Sequence, residues 1–124
     1  SGGGVFTFPT TGIWRIDSYL AFVITSASYN SRYIFNTIKV STNGYNGTFS
    51  ARADSRASIT FINSNNTYAN ASASLILDVT TAGTNASSGF AVRFDVLPES
   101  SNVILENGGT YNLTAFYFTR LGDT

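Results

Sequence analysis

Seven carboxylates, Asp17, Asp54, Asp78, Asp95, Glu99, Glu106 and Asp123, are the groups with which this chain could run acid–base hydrolysis. No two are spaced so that a single element would pair them, and they read as solvated or ion-paired charges on strands and loops. The chain has no His and no Cys, which excludes Ser-His-Asp and Cys-His nucleophiles and any His- or Cys-ligated metal. Oxygen ligands for calcium gather in Pro98-Glu-Ser-Ser-Asn102 and Glu106-Asn107, but no Asp-x-Asp-x-Asp-Gly loop is present and turn chemistry accounts for the same residues. Ser1-Gly-Gly-Gly4 has neither the Lys nor the following helix of a phosphate-binding loop. No catalytic residue, metal or cofactor is therefore expected.

Side chains that could bind rather than react are aromatic. Tyr29, Tyr33, Tyr45 and Tyr68 fall in or beside segments that read as loops, where tyrosine serves either as a docking surface for sugars and proteins or as a cover for a strand end. Tyr29, Tyr45 and Tyr68 are the candidate ligand contacts. Five Asn-x-Ser/Thr triplets begin at Asn46, Asn65, Asn70, Asn85 and Asn112. A chain this rich in Asn, Ser and Thr produces several by chance, and Asn112 falls in a segment expected to be a buried strand.

These residues need a scaffold, and composition bounds it. The chain has 124 residues, enough for one domain with a real core. Its hydrophobic fraction is 43% but charged residues make up only 11%, so Ser, Thr, Asn and Gly must carry the solubility. Net charge is zero, with one Lys and six scattered Arg, which leaves no basic stripe for a nucleic acid. No apolar run nears the roughly 18 residues of a membrane span, and no membrane insertion is expected. The absence of Met and the Gly-rich start make residues 1–4 read as a linker or trimmed end of a larger polypeptide, with a single domain over 5–124.

Two segments, Gly12 to Ile24 and Tyr111 to Leu121, alternate like strands yet are apolar on both faces. A sheet with one wet face alternates cleanly. In the first segment Trp14, Ile16, Leu20, Phe22 and Ile24 share one side, and Ile13, Tyr19, Ala21 and Val23 share the other with Arg15 and Asp17. In the second, Leu113, Ala115, Tyr117 and Leu121 oppose Phe116 and Phe118. The two segments are expected to be neighbouring inner strands whose outer face meets another subunit, with Tyr19, Ala21, Leu113, Ala115 and Tyr117 at the contact. The core is expected to hold Phe6, Phe8, Trp14, Ile16, Leu20, Phe22, Phe94, Phe116 and Phe118.

No segment keeps a helical apolar stripe, so the fold class is all-β. Strands are expected near Val5–Phe8, Trp14–Ile24, Tyr33–Ser41, Thr48–Arg52, Ala57–Ile62, Ser74–Val79, Phe90–Leu97, Val103–Leu105 and Tyr111–Arg120. Turn clusters separate them, as at Pro9-Thr-Thr-Gly12, Thr42-Asn-Gly44 and Asn107-Gly-Gly109. Asn63 to Ser74 and Thr80 to Ser88 lack large apolar residues and read as end loops. About nine strands in a domain of this size must form two packed sheets or a barrel, and a jelly-roll β-sandwich is the expected architecture.

Gly4-Val-Phe-Thr-Phe-Pro-Thr-Thr-Gly-Ile-Trp14 is similar to the Gly-x-Phe-x-x-Pro-x-x-Gly-x-Tyr/Trp pattern of the complement C-one-q globular head, within the tumour necrosis factor-like jelly-roll superfamily. The ending Leu113-Thr-Ala-Phe-Tyr-Phe-Thr-Arg-Leu-Gly-Asp123 resembles that family's closing strand, particularly in tailed-phage virion proteins. The resemblance anchors both ends, while the middle matches only in strand rhythm. It implies a jelly roll of about ten antiparallel strands, assembled as a homotrimer with the first and last strands adjacent around the three-fold axis. It also implies a further strand ahead of the Phe-Thr-Phe-Pro segment, where this chain has only Ser1 to Gly4. Family members are non-enzymatic binding heads on stalks or particles, and no catalytic residue comes with the fold. The expected function is a trimeric virion surface module of a phage, a capsid decoration or a head- or tail-fibre head, whose partners are a capsid or fibre protein or a host-surface glycan or protein. The alternative is a secreted, extracellular adhesion or ligand-binding head of the same fold.

Overall fold

The computed structural model describes residues 4–63, 65–83, 85–108, 110 and 112–124. Ser1 to Gly3 of the expected linker, Gly109 of the Asn107 turn, Tyr111 at the expected start of the last strand, and positions 64 and 84 of the expected end loops lie outside the described residues. The chain forms an all-β sandwich of two antiparallel sheets from β1 (Val5–Thr7), β2 (Gly12–Ile24), β3 (Ser31–Ser41), β4 (Ser50–Ile59), β5 (Thr67–Val79), β6 (Ala91–Pro98), β7 (Ile104–Leu105) and β8 (Ala115–Gly122). One sheet runs in the order β1-β6-β3-β4. The other places β2 at its centre, with β5 on one side and β7 and β8 on the other.

β2 is long because its β-branched and aromatic residues suit a pleated surface and no Gly or Pro interrupts it after Gly12. It pairs with β5 along its whole length, from Gly12 opposite Val79 to Ile24 opposite Thr67. On its other edge it pairs with β8 from Ile13 to Tyr19, with one bulge, so the opening and closing segments are neighbours.

The inward face builds two apolar clusters. Phe8, Trp14, Ile16, Ile38, Val40, Val79, Val92 and Phe94 form the first, and Leu20, Phe22, Ile24, Ile34 and Ile59 form the second. Burying each large side chain of this kind contributes about 1.5–3 kcal/mol. Between the clusters lies a polar clasp. Ser18 follows Ile16 and precedes Leu20 on the inner row of β2, and Asn36 stands between Ile34 and Ile38 on β3. Ser18 Oγ donates to Asn36 Oδ1 at 2.9 Å, and both residues are wholly buried.

Several expected boundaries move. The Asn63–Ser74 loop is a strand from Thr67 onward, because Ala69, Ala71 and Ala73 point inward beside Phe22, Leu20 and Ser18 while Tyr68, Asn70, Ser72 and Ser74 face out. The strands expected at Thr48–Arg52 and Ala57–Ile62 are one edge strand, β4, which carries Arg52, Asp54 and Arg56 outward. Such charges discourage edge-to-edge pairing. Among the described residues the last strand runs from Ala115 to Gly122. Thr114 Oγ1 accepts a hydrogen bond from Ala21 N at 3.2 Å, a side chain standing where a ladder carbonyl would be. Asn112 accordingly lies exposed outside any strand, not buried in one.

Phe6 and Phe116, expected in the core, sit at its open margin with 41% and 37% exposure. Each belongs to a strand, β1 and β8, that flanks its sheet on the same side of the sandwich, so only one side of each ring is covered. Their covered sides meet Phe94, which stacks on Phe116 at 4.2 Å and meets Phe6 edge-on at 5.7 Å. Phe118 is half-buried and packs against Phe8 at 5.9 Å, and Phe8, Trp14, Ile16, Leu20, Phe22 and Phe94 are buried.

Candidate interaction surface

The outer face of the β5-β2-β8 sheet collects the residues expected at the subunit contact. Register sets the rows: Tyr19 stands between Ser72 and Ala115, and Asp17 between Ser74 and Tyr117. Tyr19 and Tyr117 are therefore diagonal neighbours, and their rings meet edge to face at 5.8 Å, a favoured geometry for aromatic pairs. They are 42% and 48% exposed. Ala21, by contrast, is buried between neighbouring strands, and Leu113 and Ala115 are half-buried. Part of the second apolar face is thus covered within the chain itself, and the two tyrosines project from the covered ground.

Beside them a charge is sunk into the same face. Asp17 is buried, takes a hydrogen bond from Ser74 Oγ, and pairs with Arg15 Nε at 3.0 Å. Arg15 remains half in solvent. The carboxylate is tied by both partners.

The candidate ligand tyrosines scatter. Tyr29 lies in a single 3-10 turn, Ala27–Tyr29, and packs half-buried against the second core cluster. Tyr45 is exposed in the turn after Gly44, where Tyr45 N donates to Asn85 O at 3.4 Å. Tyr68 is 62% exposed, but it stands on β5 opposite Val23 and not in a loop. It shares the outer face with Tyr19 and Tyr117. The three candidates do not form one site.

The opposite sheet carries a feature that the reading of the sequence missed. Across the outer face of β6, β3 and β4 runs a groove of about 670 Å³, lined by Phe35, Thr37, Lys39, Arg93, Asp95 and Leu97 among others. Register builds it from rows: Leu97 beside Phe35, Asp95 beside Thr37, Arg93 beside Lys39. Asp95 holds Lys39 Nζ at 2.6 Å and Arg93 Nε at 2.8 Å. Burial alone would raise the Asp95 pKa, but hydrogen bonds from Arg93 and Lys39 outweigh it and hold the carboxyl below its ordinary range. The Arg93 guanidinium also lies 4.9 Å from the Phe49 ring centre, and Arg56 lies 4.6 Å from that of Phe35. Alternation in Tyr33-Ile-Phe-Asn-Thr-Ile-Lys39 signals an outward row of Tyr33, Phe35, Thr37 and Lys39, but its partners on β6 are about sixty residues away in the chain and only the register identifies them.

No family model matches the chain, and no curated protein matches it either.

Proposed function

We propose that this chain is a non-enzymatic, trimeric surface module with a jelly-roll fold, displayed on a phage virion for particle assembly or host attachment. The jelly-roll reading is supported by the nesting of the strand pairs. β3 pairs with β4, β2 with β5 and β1 with β6, as in an antiparallel ribbon folded back at the β3–β4 connection and rolled into two sheets. The observation that carries the assembly reading is the Tyr19–Tyr117 pair, two large aromatic side chains exposed on one sheet face, on central β2 and flanking β8, whose neighbours Ala21 and Asp17 are already buried. Tyrosines in such a setting are typical anchors of an interface core, where an apolar ring is buried and a hydroxyl finds a partner. The virion setting rests on the resemblance of residues 113–123 to the closing strand of tailed-phage surface proteins.

Light scattering of the purified chain tests the assembly: a mass of three subunits is expected, and a monomer across the micromolar range overturns it. The setting is tested by the neighbouring genes, with portal, capsid or tail genes expected beside this one. The second reading, a secreted adhesion or ligand-binding head, is favoured by exposed Asn46 and Asn85 in Asn-x-Ser/Thr triplets. Mass spectrometry of the natural protein separates the two, because sugar on either asparagine requires a secretory route.

A further inference from the structure

The groove on the outer face of β3 and β6 is a trough with one apolar end and one charged end. Thr37 forms its short floor, Phe35 and Leu97 its apolar end, and Lys39, Arg93 and Asp95 the other. Its size, about 670 Å³, falls within the roughly 300–1,000 Å³ of small-molecule sites. The charged groups are held in place before any ligand arrives, since Asp95 is gripped by both cations and Arg93 rests on Phe49. Preorganised polar groups lose little freedom on binding.

Three features select the ligand. Lys39 and Arg93 against Asp95 leave one net positive charge, so an anionic group is favoured at that end. Arg93 Nε, Arg93 Nη2 and Lys39 Nζ already donate to Asp95, which leaves about one of the roughly four carboxylate lone-pair positions for a ligand hydroxyl. Leu97, 60% exposed, offers apolar area to a flat C–H surface, beside Phe35, whose ring carries Arg56 at 4.6 Å. A peptide strand has no ladder to join here, because β3 is bonded on both edges, to β6 and to β4.

We infer that this groove binds an acidic oligosaccharide, its carboxylate at Lys39 and Arg93, one hydroxyl on Asp95 and a ring face against Leu97. The inference deepens the attachment reading above and rests on it for the display of three copies, although each groove lies within one subunit. Three grooves on one particle would turn weak sites into firm attachment through effective concentration.

The test is an array of immobilised glycans bearing uronate, sialate or pyruvate groups beside neutral glycans, followed by titration of the best-retained free oligosaccharide while backbone amide shifts are recorded. Retention of acidic over neutral glycans is expected, with shifts centred on residues 35–39 and 93–97. Lys39→Ala and Arg93→Ala should each weaken binding at least tenfold. Thr37→Tyr fills the floor with a residue that strands favour and should abolish binding at unchanged circular dichroism. Retention of no glycan, undiminished binding by Lys39→Ala, or shifts centred on Tyr45 or Tyr68 overturns the inference. Light scattering on the same samples keeps the readings apart: a monomer that binds glycan sinks the trimer alone, and a trimer that binds none sinks the groove alone.

Discussion

Ser18 and Asn36 close a polar clasp across the centre of the sandwich, with Ser18 Oγ donating to Asn36 Oδ1 at 2.9 Å and Asn36 Nδ2 donating back to Ser18 O at 3.3 Å. Asn36 Nδ2 also reaches Ala71 O at 3.4 Å, so one side chain ties β3 to both β2 and β5. An unpaired polar group at this depth would be costly, and the arrangement admits only the register in which the two residues meet.

Asn36→Leu strands the Ser18 hydroxyl without a partner and is expected to cost about 1–3 kcal/mol in urea unfolding. Adding Ser18→Ala to it removes the orphan and should recover part of the loss. With Ser18→Ala alone measured as well, losses in the double variant that equal the sum of the two single losses would show that the clasp is not energetically coupled.

Tyr117→Asp places a charge against Tyr19 at the proposed three-fold contact. Light scattering should show monomer or aggregate in place of trimer. Ile76→Asp, also exposed but on β5 opposite Arg15, is the control for position on the same sheet. An intact trimer from Tyr117→Asp rejects this assignment of the interface.

Gly44 has a φ of +75°, and a Cβ there would lie 2.5 Å from the backbone of Ala86. Its N–H also donates to Gly89 O at 2.8 Å, which locks the 44–47 turn to the loop before β6. Gly44→Ala should therefore destabilise by about 1–3 kcal/mol, read from the thermal midpoint. Gly122→Ala, where a Cβ meets nothing within 4 Å, should be close to neutral.

Acid should unfold the protein through Asp95 and Glu99. Arg32 holds Glu99 below its ordinary range, by its side chain first and then its backbone N–H, just as Arg93 and Lys39 hold Asp95 against the opposing effect of burial. Both carboxyls bind protons less readily when folded, so their contribution is complete above the unfolded-state value, near 4, and is lost as pH falls through the lower folded-state values. A thermal midpoint flat from pH 7 to 5 and falling below about pH 4 is expected, with a shallower fall for Asp95→Asn. Stability that rises on acidification in that range would contradict the ion pairs.

The strand class, β2 and β3 were legible because their signal is local. Trp14, Ile16, Leu20 and Phe22 alternate with smaller or polar neighbours, and that period survives any partner. The apolar character of both faces of β2 and β8 likewise marked them as neighbours. The first half of β5 was not legible: Ala69, Ala71 and Ala73 carry too little hydrophobic area to announce an inner face, and only the large side chains of β2 beside them explain why small residues belong there. Phe6 and Phe116 read as core because a sequence shows how apolar a residue is, not how near its strand lies to the edge of a sheet.

By itself the sequence determined an all-β chain with no His or Cys chemistry, the long two-faced strand β2 and a set of turn signals, since each depends on residue type or on spacing within a few positions. Tertiary structure alone decided that Lys39, Arg93 and Asp95 share a groove, that Tyr19 meets Tyr117, and that Ser18 meets Asn36. These are contacts between strands distant in sequence, with the exact register of the ladders deciding which side chains become neighbours. A one-residue slip would turn every one of them to the opposite face.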